Sequence, residues 1–299
     1  MTASTTRRTT AKSRIAAVGA IAVAGTMLLT ACGDQTDSGT KSNETSTTKA
    51  APLADLVPQD IKDKSGNVVG IDPDLGAALG KQLGVKFTFE NGTFDTLITG
   101  LRSKRYDLAM SAMTDTKDRQ DGVDSETGKK VGEGVDFVDY FTAGVSIYTK
   151  KGDTKGITTW ADLCGKKIAV QRGTVSHDLA KAETEKCTGG KKIAIEAFDT
   201  DLEAQTRLRS GGADAVSSDF PVAAYAVKTS GGGKDFEIVG DQVEAAPYGI
   251  AVAKGNDELT KAVQAALDAI IENGEYEKII AKWGVEAGAV TEAKINGGS

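Results

Sequence analysis

The chain alternates twice between segments of helical period and short apolar runs, and this alternation restricts it to an α/β architecture with parallel sheet. In the first block, "GIDPDLGAALGKQLG" (70–84) sets Leu75, Leu79 and Leu83 on one helical face. Asp72 is the expected cap, Pro73 the first helical residue and Gly84 the stop. "VKFTFE" (85–90) alternates like a strand, and "FDTLITGLRSKRYD" (94–107) returns to helical spacing with Leu97, Ile98 and Leu101 inward. Residues 106–110 then read as a short buried strand. The second block runs strand "KKIAVQRGT" (166–174), helix "VSHDLAKAETEKC" (175–187), strand "IAIEAF" (193–198), helix "DLEAQTRLRSG" (201–211) and strand "DAVSSD" (214–219). "VDFVDYFTAGVSIYTKKG" (135–152) leads from the first block to the second, and "APYGIAVAKG" (246–255) leads back. Two amphipathic helices, 257–272 and 275–283, complete the pattern. One lobe interrupted by another, with two crossing segments, is the expected organisation, and 35 glycines against 5 prolines suit its many short connections.

In such sheets ligands lie beyond the carboxyl ends of the strands. "SAMTDTKDR" (111–119) occupies one of those ends and supplies the hydroxyls of Ser111 and Thr114, then Arg119. Small hydroxyls and a planar guanidinium suit a zwitterion, the first for an ammonium and the second for a carboxylate. Taken alone, Arg119 also fits a surface residue paired with Asp115 or Asp118. "QDGVDSETGKKVGEG" (120–134) reads as a solvated loop whose acidic spacing misses the EF-hand pattern. "SHD" (176–178) evokes a hydrolase triad, but consecutive helical residues diverge by about 100°, and His177 reads as an exposed helix position. A net charge of −6 offers no basic stripe for nucleic acid. One histidine and no CxxC leave no metal site and no cofactor in the expectation.

The N-terminus is not fold material. Arg7, Arg8, Lys12 and Arg14 precede "IAAVGAIAVAGTMLL" (15–29), too short for a stable membrane span and suited to a secretory signal. The segment ends in "LTAC", which resembles the lipobox of bacterial lipoproteins. That resemblance implies removal of residues 1–31, acylation of Cys32, and attachment to the extracytoplasmic face of the cell membrane. Residues 32–54 are polar and Ser/Thr-rich, the composition of a flexible tether. The remaining cysteines, Cys164 and Cys187, form an even pair in an exported chain, for which a disulfide is the default, contributing roughly 3 kcal/mol.

From Val68 onward the blocks "VVGIDPDLGAALGKQLG", "FDTLITGLRSKRYDLAMSAMTDTKDR", "VDFVDYFTAG", "ADLCGKKIAVQRGT", "ADAVSSDFPVAAY", "APYGIAVAKG" and "NGEYEKIIAKWG" occur in the order of a known family. The chain resembles bacterial extracellular solute-binding proteins of family 3, the amino-acid receptors of ABC transporters, in the lipid-anchored form of actinobacteria. The resemblance covers about residues 56–290. It implies a type II periplasmic-binding-protein-like fold, each lobe built on a central, mostly parallel sheet. Lobe 1 would comprise 55–147 and 246–290, lobe 2 would comprise 148–245, and 291–299 would form a tail. It further implies no enzymatic activity, a monomer, permease subunits as partners, and a polar amino acid as ligand, with glutamate and glutamine types among the candidates. Ligand sensing, or dehydratase-like chemistry on the same fold, is the alternative.

Family roles carry over by position. Arg119 matches the arginine that grips the ligand α-carboxylate. The turn at Thr174 and Val175 matches amides, and often a hydroxyl, that meet the same carboxylate from the second lobe. Asp219 matches the acid for the α-ammonium, or equally caps the helix that begins at Phe220. Thr114 matches a hydroxyl contact, Ser111 and Ala112 match backbone contacts, and Phe94 matches an aromatic wall, with a core position as its alternative. Arg172 either reaches a ligand side chain or turns toward solvent or a neighbouring carboxylate. One departure stands out. Family members carry an apolar strand and then an aromatic turn just before the segment matching "GNVVGIDPDL", and neither is legible here.

Overall fold

The computed structural model describes residues 47–51, by their backbone, and 70–299 apart from Asn91. All of them fall in one compact unit. Strand β1 (Thr47–Ala51) is followed by α1 (Ile71–Leu83), β2 (Lys86–Phe89), α2 (Leu97–Arg102), β3 (Leu108–Ala109) and α3 (Lys117–Asp121). The long strand β4 (Val135–Lys150) enters the second lobe. There β5 (Lys167–Gln171), α4 (Val175–Lys186), β6 (Ala194–Phe198), α5 (Asp201–Arg209), β7 (Ala215–Asp219) and α6 (Phe220–Thr229) follow. Strand β8 (Phe236–Ala253) returns to α7 (Asp257–Glu272), α8 (Glu275–Trp283) and β9 (Lys294–Ile295).

The strand order β2-β1-β3-β8-β4-β7-β5-β6 contains the same motif twice. In lobe 1 the strands β2, β1 and β3 run parallel and β8 is antiparallel to β3. In lobe 2 the strands β6, β5 and β7 run parallel and β4 is antiparallel to β7. The pair β4 and β8 passes through both lobes as the two crossing segments. The expected two-lobe α/β architecture is therefore present.

The strand that the sequence does not reveal is supplied by Thr47–Ala51, within the stretch expected to be tether. Its backbone pairs in parallel with β2 from Thr47↔Lys86 to Ala50↔Phe89, and with β3 at Ala50↔Leu108 and Ala51↔Ala109. The expectation of a missing first strand is thereby corrected. A central parallel strand is ordinarily read from an apolar run, and "TTKAA" has none. Yet the facing edges of β2 and β3 each present a row of backbone donors and acceptors that only a strand can satisfy. Residues 1–46 and 52–69, which contain the signal segment, Cys32 and the position of the family's aromatic turn, lie outside the described residues.

Helices cover both faces of each sheet. In lobe 1, Leu75 and Leu79 of α1 and Leu267 and Ile270 of α7 meet Val138, Tyr140, Ile250 and Val252. The alternate strand residues Val135, Phe137 and Ala251 meet Leu97 and Leu101 of α2 on the other face. Each fully buried leucine of these layers contributes about 2 kcal/mol. One capping expectation changes: Gly70, not Asp72, stands at the N-cap of α1, and Asp72 is buried inside the first turn. The disulfide Cys164–Cys187 is formed and ties the end of α4 to the loop before β5. Between Asp139 and Ile147 the β4–β8 register shifts repeatedly. Such bulges bend a strand pair. Here they coincide with Gly144, where a Cβ would come within 2.6 Å of the Val243 carbonyl, so the crossing segments bend where the two backbones nearly touch.

Candidate functional site

The segment after β3 positions the lobe 1 half of the site. Ala112 adopts a left-handed φ of 47°, which costs a non-glycine residue about 1–3 kcal/mol and is sustained by the neighbouring backbone pairing. Gly249 N donates to Met113 O at 2.9 Å and Asp115 N donates to Pro247 O at 2.8 Å, so the segment is pinned to β8. The Thr116 hydroxyl then caps α3 by accepting from Arg119 N at 3.4 Å. That short helix projects the Arg119 side chain toward lobe 2. Its Nη1 donates to Thr114 O at 2.6 Å and its Nη2 to Gly173 O at 3.0 Å. The guanidinium carbon lies 5.4 Å from the centroid of the buried Phe94 ring. Burial pushes the Arg119 pKa down, while the charges of Asp178, Asp219 and Asp115 oppose that shift.

The lobe 2 half is a strand-to-helix turn facing a strand end. Gly173 holds φ +76°, and a Cβ there would sit 3.0 Å from that of Asp95 in lobe 1, so the turn requires glycine. Thr174 caps α4, its hydroxyl accepting from His177 N at 3.2 Å and donating to Gln171 O at 2.8 Å. His177, expected as an exposed helix residue, is half-buried and its Nδ1 accepts from Gly173 N at 3.4 Å. Asp219 ends β7 and stands at the N-cap of α6, but its side chain makes no capping hydrogen bond. The carboxylate is thus left for the cleft. Burial raises its pKa to about 6, opposed by Tyr248 and Arg119 and reinforced by the charge of Asp201. The Tyr248 hydroxyl lies beside it without closing a well-formed hydrogen bond.

Phe94, Ser111, Ala112, Thr114, Arg119, Thr174, Val175 and Asp219 line one cavity of about 20 Å³ between the lobes. The structure therefore brings together every residue singled out for the site except Arg172. That side chain turns away, its Nη2 donating to Ala197 O at 3.0 Å and its Nε lying 3.4 Å from Asp199 Oδ1. The reading of Arg172 as a ligand contact is replaced by its alternative, a neighbouring carboxylate. Asp201 and Ser218 also line the cavity, and Tyr248 stands behind Asp219. Ser218 adjoins Asp219 in "VSSD" and was within reach of the sequence. Asp201 and Tyr248 were not, because each joins the site through the tertiary fold.

So small a volume holds no more than one water, and an organic ligand enters only when the lobes part. Closure is also held outside the cavity. Ser125 Oγ in the 120–134 loop donates to Asp178 Oδ2 at 2.8 Å, and Lys181 Nζ lies 3.1 Å from Glu126 Oε2. The loop expected to be merely solvated thus reaches across to α4. Beyond Phe94 and Arg119 a wider groove of about 720 Å³ opens along Ile98, Met113, Val123, Asp178 and Leu179.

The pattern that defines the bacterial extracellular solute-binding proteins, family 3, matches residues 49–286, and its first residues fall in β1. The chain belongs to this family. It is 33% identical over 242 residues to the arginine-binding protein ArgT of Corynebacterium glutamicum, across 80% of this chain and 74% of that one. A solved structure described as an ancestral arginine-binding protein bound to arginine superimposes with a TM-score of 0.69 at 36% identity. It covers 80% of this chain and 98% of its own. A second, an ancestral arginine-binding protein bound to glutamine, gives a TM-score of 0.68 at 37% identity over 80% and 98% of the two chains. The periplasmic-binding-protein-like fold of family 3 is the fold of this protein.

Proposed function

We propose that this chain is the extracytoplasmic receptor of an amino-acid ABC transporter, which captures an L-α-amino acid by closing its lobes and presents it to a membrane permease. The observation that carries this reading is the placement of Arg119 and Asp219 on opposite lobes against one cavity. A zwitterion satisfies both: its carboxylate takes the guanidinium in two parallel bonds, and its ammonium takes the acid. The turn at Thr174 and Val175 opens α4, whose positive end favours the same carboxylate. Ser111, Ala112 and Thr114 face the ammonium from lobe 1, and Phe94 walls the site. Ligand that bridges the lobes stabilises the closed state, the form a permease recognises.

Relatives named for arginine move the expected ligand from the glutamate or glutamine type toward a basic amino acid. An ancestral relative bound to glutamine keeps a neutral amino acid among the candidates. In this reading the receptor is tethered to the membrane by acylated Cys32 and works as a monomer without chemistry on its ligand. Titration calorimetry against the twenty amino acids tests it. Saturable binding of at least one, with no product formed, is expected, and no binding to any of them refutes it.

A further inference from the structure

The lobe 2 end of the cavity carries a second acid that the sequence presents only as the first residue of α5. Asp201 is 3% exposed. The helix does not need it as a cap. The Thr200 hydroxyl accepts from Glu203 N at 3.2 Å, and the Glu203 carboxylate accepts from Thr200 N at 3.1 Å. Asp201 Oδ2 accepts from Gln205 Nε2 at 2.6 Å. Its Oδ1 has no hydrogen-bond partner among the described residues, although the side chain lines the cavity. The Ser218 hydroxyl lies near it without a well-formed bond, and among the described residues no cationic side chain pairs with it. A buried carboxylate with an idle oxygen is destabilising, so structure alone gives no reason for an acid here.

Charge supplies the reason. The cavity lining holds Asp201 and Asp219 against Arg119, one negative charge in excess when both acids are ionised. A neutral amino acid brings one charge of each sign and leaves that excess in place. An amino acid with a cationic side chain removes it. We propose that Asp201 sets the charge class of the ligand, favouring an amino acid with a positive side chain over a neutral one of the same shape. The proposal rests on the amino-acid reading of this cavity. Acting over about 10 Å at an effective dielectric of about 20, one charge changes a binding constant on the order of tenfold.

L-Arginine and L-citrulline differ in side-chain charge and little in shape, so calorimetry with this pair isolates the effect. The wild-type protein is expected to bind arginine at least about tenfold more tightly than citrulline. Asp201→Asn is expected to weaken arginine on the order of tenfold while leaving citrulline within about twofold, and Asp201→Glu to retain the wild-type ratio. An unchanged ratio in Asp201→Asn, or an equal loss for both ligands, overturns the proposal. Should the Asn variant not fold, equal affinities in the wild-type protein overturn it. A wild-type protein that binds glutamine or another neutral amino acid but shows no preference for charge leaves the receptor reading standing and removes Asp201 from specificity. One that binds no amino acid removes both.

Discussion

The Arg119 guanidinium of lobe 1 donates to the Gly173 carbonyl of lobe 2 at 3.0 Å, so one side chain both serves the cavity and bridges the cleft. A ligand carboxylate offers it a stronger, charge-assisted partner than a carbonyl does, and draws on a guanidinium already held by Thr114 O and the face of Phe94. Arg119→Ala should therefore lower amino-acid affinity by about 2–5 kcal/mol, tens to thousands of times. Calorimetry on the folded variant measures this, and retained affinity would take Arg119 out of the site.

Asp219 gives binding a pH dependence of defined sign. It faces Tyr248, Arg119 and Asp201, and its pKa in the free protein is about 6, above the ordinary value of 3.8. An ammonium needs the ionised form, so affinity should be level above about pH 7 and fall toward pH 5, by at most about tenfold per pH unit. Stability of the free protein moves the other way for this group. Between pH 6 and 4 the folded form binds more protons than the unfolded one, so acidification through that window is stabilising. Asp201, also raised to about 6, acts in the same direction. Falling affinity without a loss of melting temperature attributable to these acids is the expected pairing. Affinity that stays flat from pH 7.5 to 5 would contradict it.

The contacts from the 120–134 loop to α4 form only when the lobes are together. Ser125–Asp178 and Glu126–Lys181 lie at the surface, where such pairs contribute about 0–1 kcal/mol each. Ser125→Ala combined with Glu126→Gln should speed ligand release a few-fold and leave the association rate nearly unchanged. Stopped-flow dissociation at two salt concentrations is the measurement. Since the Glu126 contact is screened by salt, the difference from wild type should shrink at high ionic strength.

The proposed acylation of Cys32 predicts that Cys32→Ser either releases the protein into the medium or leaves residues 1–31 uncleaved. Cell fractionation distinguishes these from unchanged membrane association, which would refute acylation at this position.

The sequence disclosed the elements whose signal is local. The apolar stripes of α7 and α8, the stop at Gly84 and the hydroxyl-rich end of β3 all correspond to what the structure shows. The Arg119 half was legible as a hydroxyl-rich strand end followed by a guanidinium, whereas Thr174, Val175 and Asp219 entered only through the family resemblance. What stayed hidden depends on distant partners. Tyr248 reads as an ordinary strand aromatic until β8 brings it against Asp219, and Asp201 reads as a first-turn acid until the chain closes over it. Asp72 looked like a cap from its spacing, yet the helix begins at Ile71, two residues before the expected start at Pro73, and encloses it.

Strand β1 is the largest gap between pattern and fold, and it yields the sharpest test. Thr47–Ala51 lies between β2 and β3, so its backbone donors and acceptors are shared with two neighbours. Proline at position 49 removes an amide from the middle of that strand and fixes a φ unsuited to a central ladder. Lys49→Pro should therefore destabilise lobe 1 by about 3 kcal/mol or more and abolish ligand binding with it, since β3 carries the segment that positions Arg119. The same substitution at Lys41, before the strand, should do neither. Thermal melting followed by calorimetry separates the two positions. Equal stability of both variants would show that the ladder does not depend on Thr47–Ala51, and would return this segment to the role of a tether.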